Sequence, residues 1–188
     1  MTASLSRARK IWYGFIIVAA IPILYLSAVR GIGFFLVPSE SMEPTFQAGD
    51  YILTLREPAY YRGDVVVLHD PVQSGEYLVK RVVGVAGDVV KVDNGALYIN
   101  GRYASEPYLK EPPFYAMKAE VVVESGRIFV LGDNRNRSDD SSSWTLQTTG
   151  GGPTVSLDSI VGRVRFRYLP FSRMGRISSF PLVNAAGE

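Results

Sequence analysis

The chain has 188 residues, 47% of them apolar, enough for one domain of ordinary size with material left over for a membrane anchor. Its 20 basic and 18 acidic side chains leave a net charge of +2, so it lacks the large basic field that nucleic acid requires, and nucleic acid is not an expected partner. The absence of cysteine excludes disulfides, thiolate metal sites and a Cys nucleophile; the one histidine stands in the turn-like sequence His69-Asp70-Pro71, which argues against a His-based triad or a His-rich metal site.

From Ile11 to Val29 there is no Asp, Glu, Lys or Arg. Nineteen helical residues at about 1.5 Å each reach about 28 Å, close to the hydrocarbon thickness of a bilayer. The run therefore predicts a transmembrane helix over 11–29. Arg7, Arg9 and Lys10 precede it, and Arg30 is the one basic residue in the twenty that follow. This asymmetry predicts a single-pass protein of the cytoplasmic membrane, with residues 1–10 in the cytoplasm and the rest on the extracytoplasmic side. A removable signal peptide would share the basic start, but its apolar core is about 7 to 15 residues long and ends in a small-residue site, for which Leu26-Ser27-Ala28 is a poor match. The membrane-proximal segment 30–37, with the apolar run Gly31 to Val37, is too short to span and suits a stretch lying at the lipid interface.

Beyond Pro38 the pattern becomes short β-branched and aromatic runs separated by Gly, Asp, Asn and Pro, which predicts a mainly β, antiparallel domain over 38–183. The expected strands are Tyr51 to Leu55, Val65 to Leu68, Tyr77 to Val83, Val89 to Val92, Leu97 to Ile99, Val121 to Val123, Ile128 to Leu131 and Ile160 to Tyr168. Asp93-Asn94-Gly95 predicts a tight hairpin, and a second turn is expected at Asn100-Gly101. The Ser-, Thr-, Asp- and Gly-rich stretch from Ser138 to Ser159 reads as a long surface loop, and 184–188 as a tail.

Three segments carry groups capable of chemistry. Pro38-Ser39-Glu40-Ser41-Met42-Glu43-Pro44 places two serines between prolines that restrict the backbone. Such serines also occur in ordinary turns, so a partner base is required. With His69 discounted, a carboxylate or a neutral lysine could activate a serine. In Tyr77-Leu78-Val79-Lys80-Arg81-Val82-Val83 the strand period sends Lys80 and Arg81 to opposite faces, so at most one is expected to share a buried face with Leu78 and Val82. Arginine stays protonated in proteins, whereas a buried lysine can be neutral; a lysine that snorkels to solvent is the alternative. The third segment, Gly132 to Ser141, reads on its own as a solvated loop or an ion site, although EF-hand spacing is absent.

Taken together, the three segments resemble the bacterial type I signal peptidases and their organellar relatives. Ser-Met-x-Pro-Thr is found at Ser41 to Thr45, a lysine motif at Lys80 to Asp88, and Gly-Asp-Asn-Arg at Gly132 to Arg135, and the likeness extends over nearly the whole chain. The resemblance implies a serine endopeptidase that uses a Ser-Lys dyad and no metal or organic cofactor. It makes Ser41 the nucleophile, Lys80 the general base, Ser39 the side-chain donor to the oxyanion, and Ser138 the hydroxyl that orients the lysine. Asp133 and Arg81 become a bracing pair. Val37, Pro38, Met42, Phe46, Leu78 and Val79 match positions lining the substrate pockets, and secreted preproteins are the implied substrates. One departure is that the arginine expected to pair with Asp140 is replaced by Ser142, so Arg135 or Arg137 is expected to stand in. Two other readings remain: a self-cleaving peptidase of the LexA repressor type, and an anchored β domain that binds envelope proteins without catalysis.

Overall fold

A computed structural model describes residues 9–16, 18, 20, 21, 25, 31–180 and 182. Part of the expected span at 11–29, Pro22 included, lies outside the described residues, as do Arg7, Arg30 and the tail at 184–188. Residues 9–16, 18, 20, 21 and 25 are helical, and among the described residues no helix is long and apolar enough to cross a membrane.

The remainder is antiparallel β structure in two sheets. The larger has the order β1-β2-β11-β3-β4-β9-β10, with β12 also paired to β11; its strands are β1 (Ile32–Leu36), β2 (Tyr51–Leu55), β3 (Val65–His69), β4 (Tyr77–Val85), β9 (Arg127–Leu131), β10 (Val155–Ser156), β11 (Ile160–Leu169) and β12 (Gly175–Arg176). The smaller has the order β7-β6-β5-β8, from β5 (Val89–Asp93), β6 (Ala96–Ile99), β7 (Arg102–Ala104) and β8 (Val121–Val122). All eight expected strands form. The turn at Asn94-Gly95 joins β5 to β6 with φ of 47° and 77°, and Asn100-Gly101 turns β6 into β7 with φ of 54° and 73°. Asn and Gly are the residues that tolerate such positive angles, so these dipeptides fix the hairpin register from within the sequence.

Four strands escaped sequence reading. The run Gly31 to Val37 does not simply lie along an interface: Ile32–Leu36 is β1, paired with β2 at the sheet edge. Phe34 and Leu36 point outward, 51% and 50% exposed, and Phe34 and Tyr51 both pack on Tyr168 at 5.8 and 5.9 Å. The stretch Ser138 to Ser159 is also more than a surface loop. It contributes β10 and a one-turn helix, Leu146–Thr149, and it buries Ser141, Trp144, Thr154 and Val155.

Three apolar clusters hold the sheets. One lies between them and joins Val83, Phe129 and Leu131 of the larger sheet to Val90, Val92, Leu97 and Ile99 of the smaller. A second gathers Val37, Met42, Phe46 and Ile52 against Val65, Val67, Val79 and Val164. A third covers Val66, Leu68, Val82, Ile128 and Val130 with Trp144, Val155 and Ile160. Strand β4 has apolar neighbours on both faces, so Lys80 and Arg81 fall on opposite faces as expected, only Lys80 sharing that of Leu78 and Val82, and both are buried. They are 2% and 0% exposed, Lys80 on the face of Val82 and Arg81 between Val79 and Val83. Phe129→Ala, emptying a fully buried site between the sheets, is expected to lower unfolding free energy by about 3 to 5 kcal/mol in a denaturant titration.

Candidate active site

The segment from Val37 to Asp50 is a closed loop. Val37 N–H donates to Asp50 O at 2.8 Å, and Gly49 N–H returns to Val37 O at 2.9 Å. Asp50 is fully buried, accepts from Gln47 N–H, and pairs with Arg173 at 2.6 Å and Arg167 at 3.3 Å; Arg167 also donates to Thr45 O. A rigid base of this kind lets an irregular loop hold a side chain in one place. Ser41 is half-buried at the loop's shoulder. Its carbonyl accepts from Asn134 N–H at 3.0 Å, its Oγ accepts from Ser39 Oγ at 3.2 Å, and its own N–H has no partner among the described residues.

Opposite stands Lys80. Its Nζ donates to Ser138 Oγ at 2.9 Å, and no carboxylate lies within ion-pairing distance among the described residues. Burial pushes its pKa down; the more distant negative charges of Asp140, Asp139, Asp70 and Asp133 push the other way without reversing the shift. Desolvation disfavours the ammonium form, which is what a lysine base needs near neutral pH.

Arg81, the next residue, has the opposite arrangement. Its guanidinium binds Asp133 in a two-point pair, Nε to Oδ1 at 2.8 Å and Nη2 to Oδ2 at 2.6 Å, and Nη1 donates to Gly63 O. The Tyr108 ring lies 3.9 Å beneath its carbon, and burial pushes the Tyr108 hydroxyl up. Thr45 Oγ1 donates to Asp133 Oδ2 at 2.5 Å, tying the serine loop to the segment after β9.

That segment begins at Gly132. A Cβ there would lie 2.5 Å from Ser41 O and 2.6 Å from Ser138 Cβ, so only glycine lets the serine loop and Ser138 close on each other. Neither arginine expected to replace the missing one reaches Asp140. Arg135 forms a buried two-point pair with Glu106, including Nη1 to Oε2 at 2.8 Å, and Arg137 pairs with exposed Glu40 at 2.8 Å. Asp140 is instead satisfied by short donors: Gly132 N–H at 2.9 Å, Ser142 N–H at 3.1 Å and Ser142 Oγ at 2.7 Å. The residue that displaces the arginine thus supplies its hydrogen bonds.

Ser39, Ser41 and Lys80 line one cleft of about 260 Å³, with Val37, Pro38, Leu78 and Val79 among its walls. Met42 and Phe46 do not line it; both are fully buried in the cluster that includes Val37 and Val79. Tyr77 and Asp139 are cleft residues the sequence did not single out, and Arg137, expected beside Asp140, lines the cleft instead.

A family model described as signal peptidase, peptidase S26, matches residues 9–169. The chain belongs to this family. The probable signal peptidase I-1 of Synechocystis sp. is 37% identical to it over 160 residues, 79% of this chain and 77% of that protein. Signal peptidase I U of Bacillus subtilis is 37% identical over 152 residues, 74% and 77% of the two chains, and signal peptidase IB of Staphylococcus aureus 33% over 178 residues, 83% and 87%. As a peptidase S26 member the protein is a serine endopeptidase of the signal peptidase I type. Asn134 and Thr45 are positioning residues that the family motifs contain but whose contacts become visible only in three dimensions.

Two outcomes follow for this signal peptidase family member. Asp133→Asn strips a buried guanidinium of its countercharge and is expected to cost about 3 to 5 kcal/mol of stability, measured by chemical unfolding. Lys80 has a folded pKa below 10.5, so between that value and 10.5 the unfolded chain holds a proton the folded one lacks, and stability rises with pH across this window. Lys80→Met should therefore be more stable than the parent at pH 7 in thermal unfolding, with the difference shrinking as pH approaches 10.5; a difference independent of pH would show that Lys80 is not desolvated.

Proposed function

We propose that Ser41 and Lys80 form the catalytic dyad and that the protein removes signal peptides from exported preproteins at the outer face of the cytoplasmic membrane, to which the run at 11–29 anchors it. The observation that carries this reading is a lysine with a lowered pKa, bonded to Ser138 and lacking a carboxylate partner, in the same cleft as Ser39 and Ser41.

In this scheme neutral Lys80 Nζ takes the hydroxyl proton of Ser41 as Oγ attacks the scissile carbonyl carbon. The tetrahedral oxyanion accepts from the unpartnered Ser41 N–H and from the Ser39 hydroxyl, which turns from Ser41 Oγ to the new charge. Collapse breaks the C–N bond, and the Lys80 ammonium returns the proton to the leaving amine. Lys80, neutral again, removes a proton from the water that attacks the acyl carbon, and the ammonium passes it to Ser41 Oγ as the acyl C–Oγ bond breaks. Ser138 holds Nζ in line throughout, and Asp133, Arg81 and Asp140 brace the two loops. Val37, Pro38, Leu78 and Val79 receive the small side chains before the cut, with Met42 and Phe46 behind the wall setting its depth. Phe34 and Leu36 on the β1 edge support an active site held close to the lipid surface, where signal peptides end.

The test is cleavage of a preprotein with an Ala-x-Ala junction by detergent-solubilised protein, mapped by mass. Ser41→Ala and Lys80→Ala should abolish cutting while keeping the fold, and Ser39→Ala should reduce kcat about 100- to 1,000-fold. Equal cutting by all of them would remove the assigned dyad.

A further inference from the structure

A second cavity, larger than the cleft that holds the serine, lies beside it. It measures about 810 Å³, within the roughly 300 to 1,000 Å³ of sites that enclose a ligand, and its accessible lining is mostly apolar. One wall is the chain from Phe114 to Ala119, and the other is Ser141 to Thr145. The two spaces are neighbours across a single segment: Arg137 and Asp139 line the cleft, while Ser138 between them lines the cavity. Through Gly132, Ser138 also sits against the Ser41 backbone. The cavity therefore adjoins the serine cleft through Ser138 and shares none of its lining residues.

Its walls offer unused hydrogen-bonding groups. Within 114–119 the backbone donors that find protein acceptors are Phe114 N–H, to Asn136 Oδ1, and Met117 N–H, to Val92 O; the backbone of Ala116, Lys118 and Ala119 has no intramolecular partner among the described residues. This stretch runs into β8, an edge strand of the smaller sheet. The Trp144 indole N–H is buried without an acceptor, although a buried donor of this kind normally finds one. An apolar trough with a wall of unpaired backbone groups has the chemistry to hold a peptide, with main-chain bonds giving affinity and apolar walls receiving side chains.

On the reading that Ser41 is the nucleophile, we propose that this cavity binds the substrate chain on the far side of the cut, the first residues of the mature protein, in extended form along 114–119. The walls then contribute to substrate choice beyond the residues before the cut, and they hold the leaving amine near Lys80 until it is protonated.

The experiment compares two peptides that share the same residues before an Ala-x-Ala junction and carry either two or ten residues after it. Wild type should cut the longer peptide with kcat/KM at least ten-fold higher. Ala116→Trp, which fills the cavity from an exposed wall position, should bring the two peptides to within about two-fold of each other. In a Ser41→Ala, Trp12→Phe protein, where Trp144 is the remaining tryptophan, the ten-residue peptide should shift the indole emission and the two-residue peptide should not. Equal cutting of both peptides by wild type, a length preference that survives Ala116→Trp, or an unmoved emission would overturn the cavity assignment and leave the dyad standing. No cutting of either peptide by wild type would overturn the dyad and the cavity assignment with it.

Discussion

Two consecutive side chains of β4, Lys80 and Arg81, are withdrawn from water, and much of the site is arranged around the different ways their charges are handled. A lysine at its ordinary pKa is neutral about once in 2,500 molecules at pH 7, a deficit of about 4.6 kcal/mol, and loss of hydration on the order of that observed for buried lysines can remove it. Arginine has no such escape, because its guanidinium does not give up its proton in proteins. Arg81 is therefore matched with Asp133 on two points and stacked on Tyr108, whereas Lys80 is given a hydroxyl and no carboxylate. The same burial thus leaves a charge-paired arginine on one face and a lysine without a countercharge on the other.

The serine is held by a different device. The strand β4 supplies the lysine from a rigid sheet, but Ser41 and Ser138 stand on irregular chain, where position has to be imposed by contacts. Asp50 and its two arginines fix the base of the first loop; Asp140, the Glu106–Arg135 pair and Asn134 fix the second. Thr45 and Gly132 then close one loop on the other. Each of these buried carboxylates has its partners, so the loops are stiff where the cleft is lined and exposed only on their outer sides.

Much of this is legible in the amino-acid sequence. Short β-branched and aromatic runs bounded by Gly, Asp, Asn and Pro mark most of the strands, and two Asn-Gly dipeptides set the hairpins of the smaller sheet. Of the three motifs that carry the family resemblance, those of Ser41 and Lys80 line one cleft, and the third packs against the serine loop through Gly132. What stayed hidden depends on partners distant along the chain. Trp144 and Val155 are isolated apolar residues in a Ser- and Gly-rich stretch, so no periodicity announces that they cover Val82 and Val130. β1 is masked by an apolar composition equally suited to a lipid interface. That Asp140 would take Ser142 rather than an arginine, and that Arg135 would go to Glu106, is a matter of reach across a folded loop, to which spacing in sequence is blind.

The central claim is that burial holds Lys80 as a neutral base, and its most direct test is the titration of that side chain itself. The chain has five lysines, so a protein labelled with 13C-lysine gives few enough ε-carbon signals to assign Lys80 by its loss in Lys80→Met. The account requires a midpoint below 10.5. A midpoint at or above 10.5 would mean that Lys80 remains an ammonium at neutral pH, and the Ser41–Lys80 mechanism would be contradicted.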